Sequence, residues 1–313
     1  MSVLILTHSS SHAHVTPPGH PERVARIETV DRVLTSAPYA ALPRAEAPSA
    51  SDDQIGRAHD AAYMERIKAS SPADGWASLD PDTHMCPDSL EAARHAAGSN
   101  IAAVEAVVGG DHKAAFCAVR PCGHHAEKNR AMGFCLFNNI AIGARHALDA
   151  LEIERLAIVD FDVHHGNGTQ NIFWSEPHAM FASSHQMPLY PGSGAAHETG
   201  IGNIFNAPLE PMSGGREMRA AYEGIVFPAL RAFEPELIMI SAGFDAHAAD
   251  PLANLNWRDE DFGWVTGEIC KIAVDCCEGR VVSTLEGGYD LDGLAGSLRA
   301  HLDALIAHVE GLA

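Results

Sequence analysis

Six apolar runs of strand length recur along the 313 residues, and the residues that follow most of them do not suit a core. The runs are VLILT (3–7), AAFCAV (114–119), LAIVDFD (156–162), AMFASS (179–184), ELIMISAG (236–243) and VVSTLEGG (281–288). Amphipathic segments of helix length stand between or beside them, at 21–36, 89–108, 138–152, 215–233, 259–277 and 294–311. Continuous apolar strands that alternate with such helices predict a parallel sheet covered on both faces. The expected architecture is therefore α/β, a single domain over 1–313 with a central, mostly parallel sheet flanked by helices. The Pro/Ala-rich stretch 37–53 reads as a surface connection between elements.

The chemistry sits where the strands end. FCAV runs into RPCGHHA, LAIV into DFDVHHGNG, MFAS into SHQ, LIMISAG into FDAH and VVSTLEGG into YD. Ligands of open parallel sheets bind outside the carboxyl ends of the strands. A period of two places Asp160 and Asp162 on one face, with His164 following in that direction. Buried carboxylates cost several kcal/mol unless paired or bound to metal, so these clusters call for a ligand. Asp162, His164 and Asp245 form a set of two oxygens and one nitrogen that suits Zn²⁺ or Fe²⁺. Three protein ligands leave positions open for water and substrate. The adjacent imidazoles His124 and His125 offer a base, with Asp160 and Asn167 as partners for their far ring nitrogens. Tyr289 follows two glycines and can donate to a developing oxyanion.

Composition narrows the partners. A formal net charge of −20 opposes nucleic acid and fits a cationic or neutral ligand better. The seven cysteines are odd in number and lack C-x-x-C spacing, so neither a disulfide framework nor a cysteine zinc site is expected. The opening MSVLILTHSS is too short an apolar run for a signal peptide or a membrane span, and a cytoplasmic protein is expected.

Taken in order and spacing, RPCGHHA, GFCLFNN, DFDVHHGNGTQ, SAGFDAH and LEGGYD resemble the zinc-dependent histone deacetylase family. The similarity is to its class II and bacterial deacetylase-like amidohydrolases, a group related to the acetylpolyamine amidohydrolases. It extends from HPERVARI (20–27) to EGGYDLDGLA, nearly the whole chain. The resemblance implies the arginase/deacetylase fold, with a parallel sheet of about eight strands. It implies that Asp162, His164 and Asp245 hold zinc, that His125 is the general base and acid, and that His124 is its electrostatic partner linked to Asp160. Tyr289 matches the oxyanion donor. Gly133, Phe134 and Tyr190 match the walls of an acyl-lysine tunnel, and Arg26 matches the arginine at its inner end. A structural K⁺ is implied as well, held by the Asp160 and Ser183 side chains and by the carbonyls of Asp162, His164 and Ser184.

Two positions depart from the family pattern. Cys122 stands where proline is usual, and Leu252 stands where the polyamine enzymes carry a rim glutamate. The expected activity is hydrolysis of an acetyl or other short acyl amide on a lysine-like side chain, in a peptide or a small acylated amine. Acetylpolyamines or other small amides are the alternative substrates, and a non-catalytic acyl-lysine binding protein is the alternative of another class. A two-manganese ureohydrolase wants D-x-H-x-D where this chain has DVHHG. Oligomeric state is not legible from the sequence.

Overall fold

The computed structural model describes residues 2–312. Ten strands occur among them: β1 (Val3–Thr7), β2 (Arg44–Glu46), β3 (Ala77–Ser78), β4 (His84–Met85), β5 (Ala114–Cys117), β6 (Leu156–Asp160), β7 (Ala179–Gln186), β8 (Ile204–Leu209), β9 (Leu237–Ala242) and β10 (Val281–Leu285). β3 and β4 pair as a small antiparallel ribbon. The other eight form one sheet in the order β2-β1-β5-β10-β9-β6-β7-β8. Every pairing in that sheet is parallel.

β5, β6, β9 and β10 are buried at every position, as strands covered on both faces must be. Alternation divides their side chains between two cores. Phe116, Val159, Ile240 and Val281 belong to one, and Ala115, Ile158, Met239 and Val282 to the other. The helices Asp259–Cys277 and Leu291–Gly311 contribute to the first core, and Ser89–Val108 and Asn139–Ala150 to the second.

The expected helices at 89–108 and 259–277 form with those bounds. The segment 215–233 is helical throughout but carries a π turn at Tyr222–Val226, just before Pro228. Proline supplies no N–H to the turn behind it, and a π turn absorbs that local misfit. Three expectations are corrected. The strand LAIVDFD stops at Asp160, so Asp162 stands in the loop beyond. AMFASS continues to Gln186, which puts His185 inside β7. The stretch 37–53 is more than a surface connection, because it supplies the edge strand β2 and buries Tyr39, Ala47 and Ala50.

The topology places β5, β10, β9, β6 and β7 side by side in the middle of the sheet. All run the same way, so their carboxyl ends meet at one edge. Among the described residues, no helix is long and apolar enough to cross a membrane.

Candidate active site and metal centre

The loop after β6 delivers Asp162 and His164, and the loop after β9 delivers Asp245. His164 Nδ1 lies 3.1 Å from Asp162 Oδ1 and 3.1 Å from Asp245 Oδ2. One ligand atom from each residue falls within 4.8 Å of the other two, and all three residues are buried. The second carboxylate oxygens are occupied: Gly287 N donates to Asp162 Oδ2 at 2.8 Å, and Val163 N to Asp245 Oδ1 at 2.9 Å. Glycine is required at 287, because a Cβ there would come within 2.1 Å of Asp245 Oδ2. Burial raises the Asp245 carboxyl above its ordinary range, and the neighbouring Asp162 charge adds to the effect. Two buried carboxylates facing one imidazole leave a surplus negative charge that a divalent cation would neutralise. Donors around a tetrahedral ion at about 2.0–2.1 Å lie roughly 3.3 Å apart, which the observed spacing approaches.

Cys122, Cys135 and Glu286 form a second buried group of possible donors. Its two sulfurs are 3.3 Å apart, whereas thiolates around zinc at about 2.3 Å would be separated by roughly 3.8 Å. The thiols are hydrogen-bonded to each other, and Cys135 Sγ also donates to Gly133 O at 3.2 Å. Each of the seven cysteines is a free thiol.

The two adjacent histidines have different surroundings. His124 Nδ1 meets Asp160 Oδ2 at 2.9 Å, and His125 Nδ1 meets Asn167 Oδ1 at 2.8 Å. Asn167 Nδ2 donates to Glu127 Oε1 at 2.9 Å, which orients the amide so that its oxygen faces His125. His125 Nδ1 is thereby the donor, and Nε2 keeps its lone pair. Burial lowers His125 well below the ordinary imidazole value, and His124 and His164 push the same way. Burial would also lower His124, but the charges of Asp162 and Asp160 outweigh it and raise that group well above. Asn167 is the first residue of the helix Asn167–Phe173. Gly168 N and Thr169 N, in its first turn, donate to His124 O at 3.0 and 3.2 Å.

A cavity of about 230 Å³ opens onto this chemistry. His125 and His164 line it together with Gly133, Phe134, Tyr190, Leu252 and Tyr289, so the expected wall residues converge. Gly133 and Phe134 both take left-handed backbone conformations, with φ of 57° and 69°. A Cβ at Gly133 would lie 2.3 Å from the His125 ring, and that leaves no room for another residue. A left-handed phenylalanine is strained, and a bond from Phe134 N to Thr83 Oγ1 at 3.0 Å helps to hold it.

Tyr289 packs edge-on against Phe134, with ring centroids 5.8 Å apart. Burial raises its phenol well above the ordinary value, so the proton stays on oxygen. Arg26 is fully buried and stands outside the cavity wall, its guanidinium 4.9 Å from the centre of the Tyr289 ring. It donates to Gly288 O at 2.6 Å and to Glu22 Oε1 at 3.0 Å. Ser183 is in register with Asp160 on the neighbouring strand, but its hydroxyl meets His185 Nδ1 at 2.9 Å. The Ser184 hydroxyl meets the Tyr222 hydroxyl at 2.9 Å.

Three carboxylates escaped the sequence reading. Asp82 lines the cavity. Glu286 accepts from Gly123 N at 2.6 Å and from His124 N at 3.2 Å, fixing the histidine loop from behind. Asp250 accepts from Tyr289 N at 2.7 Å and from Leu252 N at 3.0 Å, tying together two sides of the cavity. Glu286 lies inside the LEGGYD motif, where its position was the available signal. Nothing in the sequence pairs Asp250 with Tyr289.

Comparison with known proteins points in one direction. Residues 20–305 match the model of the histone deacetylase domain. A histone deacetylase-like amidohydrolase of Pseudomonas aeruginosa is 41% identical over 286 residues, covering 88% of this chain and 74% of that protein. A probable deacetylase of Methanothermobacter thermautotrophicus is 38% identical over 312 residues, covering 96% and 90%. The crystal structure of the HDA15 HD domain superposes with a TM-score of 0.92 at 31% identity, covering 98% of this chain and 89% of that one. With likeness at this level in both sequence and fold, the chain belongs to the histone deacetylase family and is a hydrolase acting on amides.

Proposed function

We propose that the protein is a zinc-dependent amidohydrolase that removes acetyl or another short acyl group from a lysine-like side-chain amide. The observation that carries this reading is a convergence. His164, in contact with Asp162 and Asp245, faces the same narrow cavity as His125 and Tyr289. Asp162, His164 and Asp245 would hold the ion; Fe²⁺ would satisfy the same donors. The chemistry supplied by bound zinc is polarisation of the carbonyl and acidification of the attacking water.

The chain's own residues supply the rest. His125, with Nδ1–H held by Asn167, accepts the water proton at Nε2 and returns it to the leaving amine. His124 is absent from the cavity wall, and its ion pair with Asp160 makes it a fixed charge behind His125. The Tyr289 hydroxyl donates to the carbonyl oxygen as negative charge develops there. The Gly133 carbonyl accepts from the substrate N–H, and Phe134 and Tyr190 flank the alkyl stem. Arg26 braces Tyr289 from outside the tunnel. Asp160 and Ser183, with the carbonyls of Asp162, His164 and Ser184, would hold a structural K⁺ beneath the site.

Leu252 on the cavity wall offers no carboxylate at the position of the polyamine enzymes' rim glutamate, and the carboxylate that does line the cavity, Asp82, stands elsewhere on the wall. The seven free thiols suit the cytoplasm. The test is turnover by the zinc-loaded protein of an acetyl-lysine peptide, acetylspermidine and small anilides. Tyr289→Phe should keep the metal and lose about 10²–10³ in kcat on the peptide. Wild-type turnover by that variant would remove the tyrosine from the mechanism.

A further inference from the structure

A second and larger cleft, of about 620 Å³, adjoins the tunnel. The two share Leu252 and Tyr289 as walls. His20, on the cleft side, packs edge-on against Phe134 of the tunnel at 4.6 Å and meets the Asp82 carbonyl at 3.0 Å. The cleft thus lies directly beside the tunnel at Leu252.

Its charge differs from that of the molecule. The chain carries −20 overall, yet no residue lining the cleft is acidic, and Arg23 stands on its wall. The nearby Arg26 and Arg120 are both tied to the buried Glu22. Arg23 enters no ion pair among the described residues. The helix Val24–Leu34 begins at the same place, and its first residues, Val24 and Ala25, also line the cleft. That helix has no acidic residue in its first turn and no side-chain cap, so its positive end adds to the charge of Arg23.

We propose that this cleft receives a carboxylate on the amine half of the substrate. The preferred substrate is then an acyl-lysine with a free carboxyl group, either the amino acid itself or the C-terminal residue of a peptide. This deepens the amidohydrolase reading and rests on it. The tunnel holds the alkyl stem, and the wider cleft takes the α-carbon end, where Arg23 meets the carboxylate in a charge-assisted pair. A polyamine would present a cation to the same arginine, and an internal lysine of a protein would present no charge.

The test compares Nα,Nε-diacetyl-lysine with its primary carboxamide, which differ in the carboxylate alone. Calorimetric titration of the zinc-loaded Tyr289→Phe protein reads binding without turnover. The acid should bind about tenfold more tightly than the amide. Arg23→Ala should abolish the preference and Arg23→Glu should invert it, with affinity for the amide held within about twofold. In the wild-type enzyme the preference should appear in KM, with kcat unchanged. Equal affinity for the pair, or a preference that survives Arg23→Ala, overturns the proposal. If no amide is hydrolysed while the Arg23-dependent preference stands, the amidohydrolase reading fails and the cleft assignment survives.

Discussion

Asn167 shows how one side chain sets the role of another. Its amide is oriented by Glu127, and that orientation makes His125 Nδ1 a donor and frees Nε2 for the tunnel. Asn167→Ala should therefore lower kcat by about 10- to 100-fold with zinc content intact, as loss of an orienting partner generally does. An unchanged kcat would mean that the imidazole needs no such orientation. The residues proposed to hold the metal and move the proton were legible in the sequence because their types are costly in a core: Asp162, His164, Asp245, His124 and His125 could each be a cap or loop residue alone, but they collect at several strand ends of one sheet. The residues that hold them were not. Glu286 acts on the backbone of Gly123 and His124, 163 and 162 positions away, and no spacing rule reaches that far. Cys122 replaces the family's usual proline without removing any group from the site, its sulfur lying against the Cys135 thiol.

Among the elements, the central strands were legible because burial on both faces leaves an unbroken apolar run. β2 and β8 were not, since each sits at an edge of the sheet. β2 reads only RAE, and β8 includes Asn206 and Pro208. Edge strands tolerate proline and polar residues, so they lack the signal. The turn after β10 is more constrained than its flexible-looking Gly-Gly suggests. Gly287 packs against Asp245 and Asp162, and a Cβ would come within 2.1 Å of the first and 2.5 Å of the second. Gly287→Ala should push the two carboxylates apart and weaken zinc binding by at least about tenfold, measured by competition with a chelator. Unaltered zinc affinity in that variant would show that the turn yields and does not define the metal site.

For the whole molecule, the parallel sheet brings five strand ends to one edge, and the candidate site is assembled there. The same burial makes the protein sensitive to acid. His59 donates from Nδ1 to the Glu127 carbonyl and accepts at Nε2 from Asn138 N, an arrangement that only the neutral ring can make. Burial lowers it to about 4, and burial lowers His301 in the core to about 3. Both values lie below the unfolded-state value of about 6.5, so the unfolded chain binds more protons in this window. Stability is fully present above about 6.5 and falls as pH drops towards the folded values, by up to ~1.4 kcal/mol per pH unit for each such histidine. Buried carboxylates work the other way in the same window: burial raises Glu286 and Asp250 to about 7 and Asp160 to about 6, and each gains stability as pH falls from there towards the ordinary carboxylate range. The share of His59 is therefore read by difference: between pH 6.5 and 4.5 the melting temperature of His59→Gln should fall less, or rise more, than that of the wild type, and parallel profiles would contradict neutral burial of that ring.

The account as a whole depends on a single ion shared by side chains from the ends of β6 and β9. Zinc per chain, measured by plasma mass spectrometry after dialysis, tests it most directly. The prediction is one zinc per chain in the wild type and less than about a tenth of that in Asp245→Ala, with the variant still folded. Full zinc retention in Asp245→Ala would contradict it.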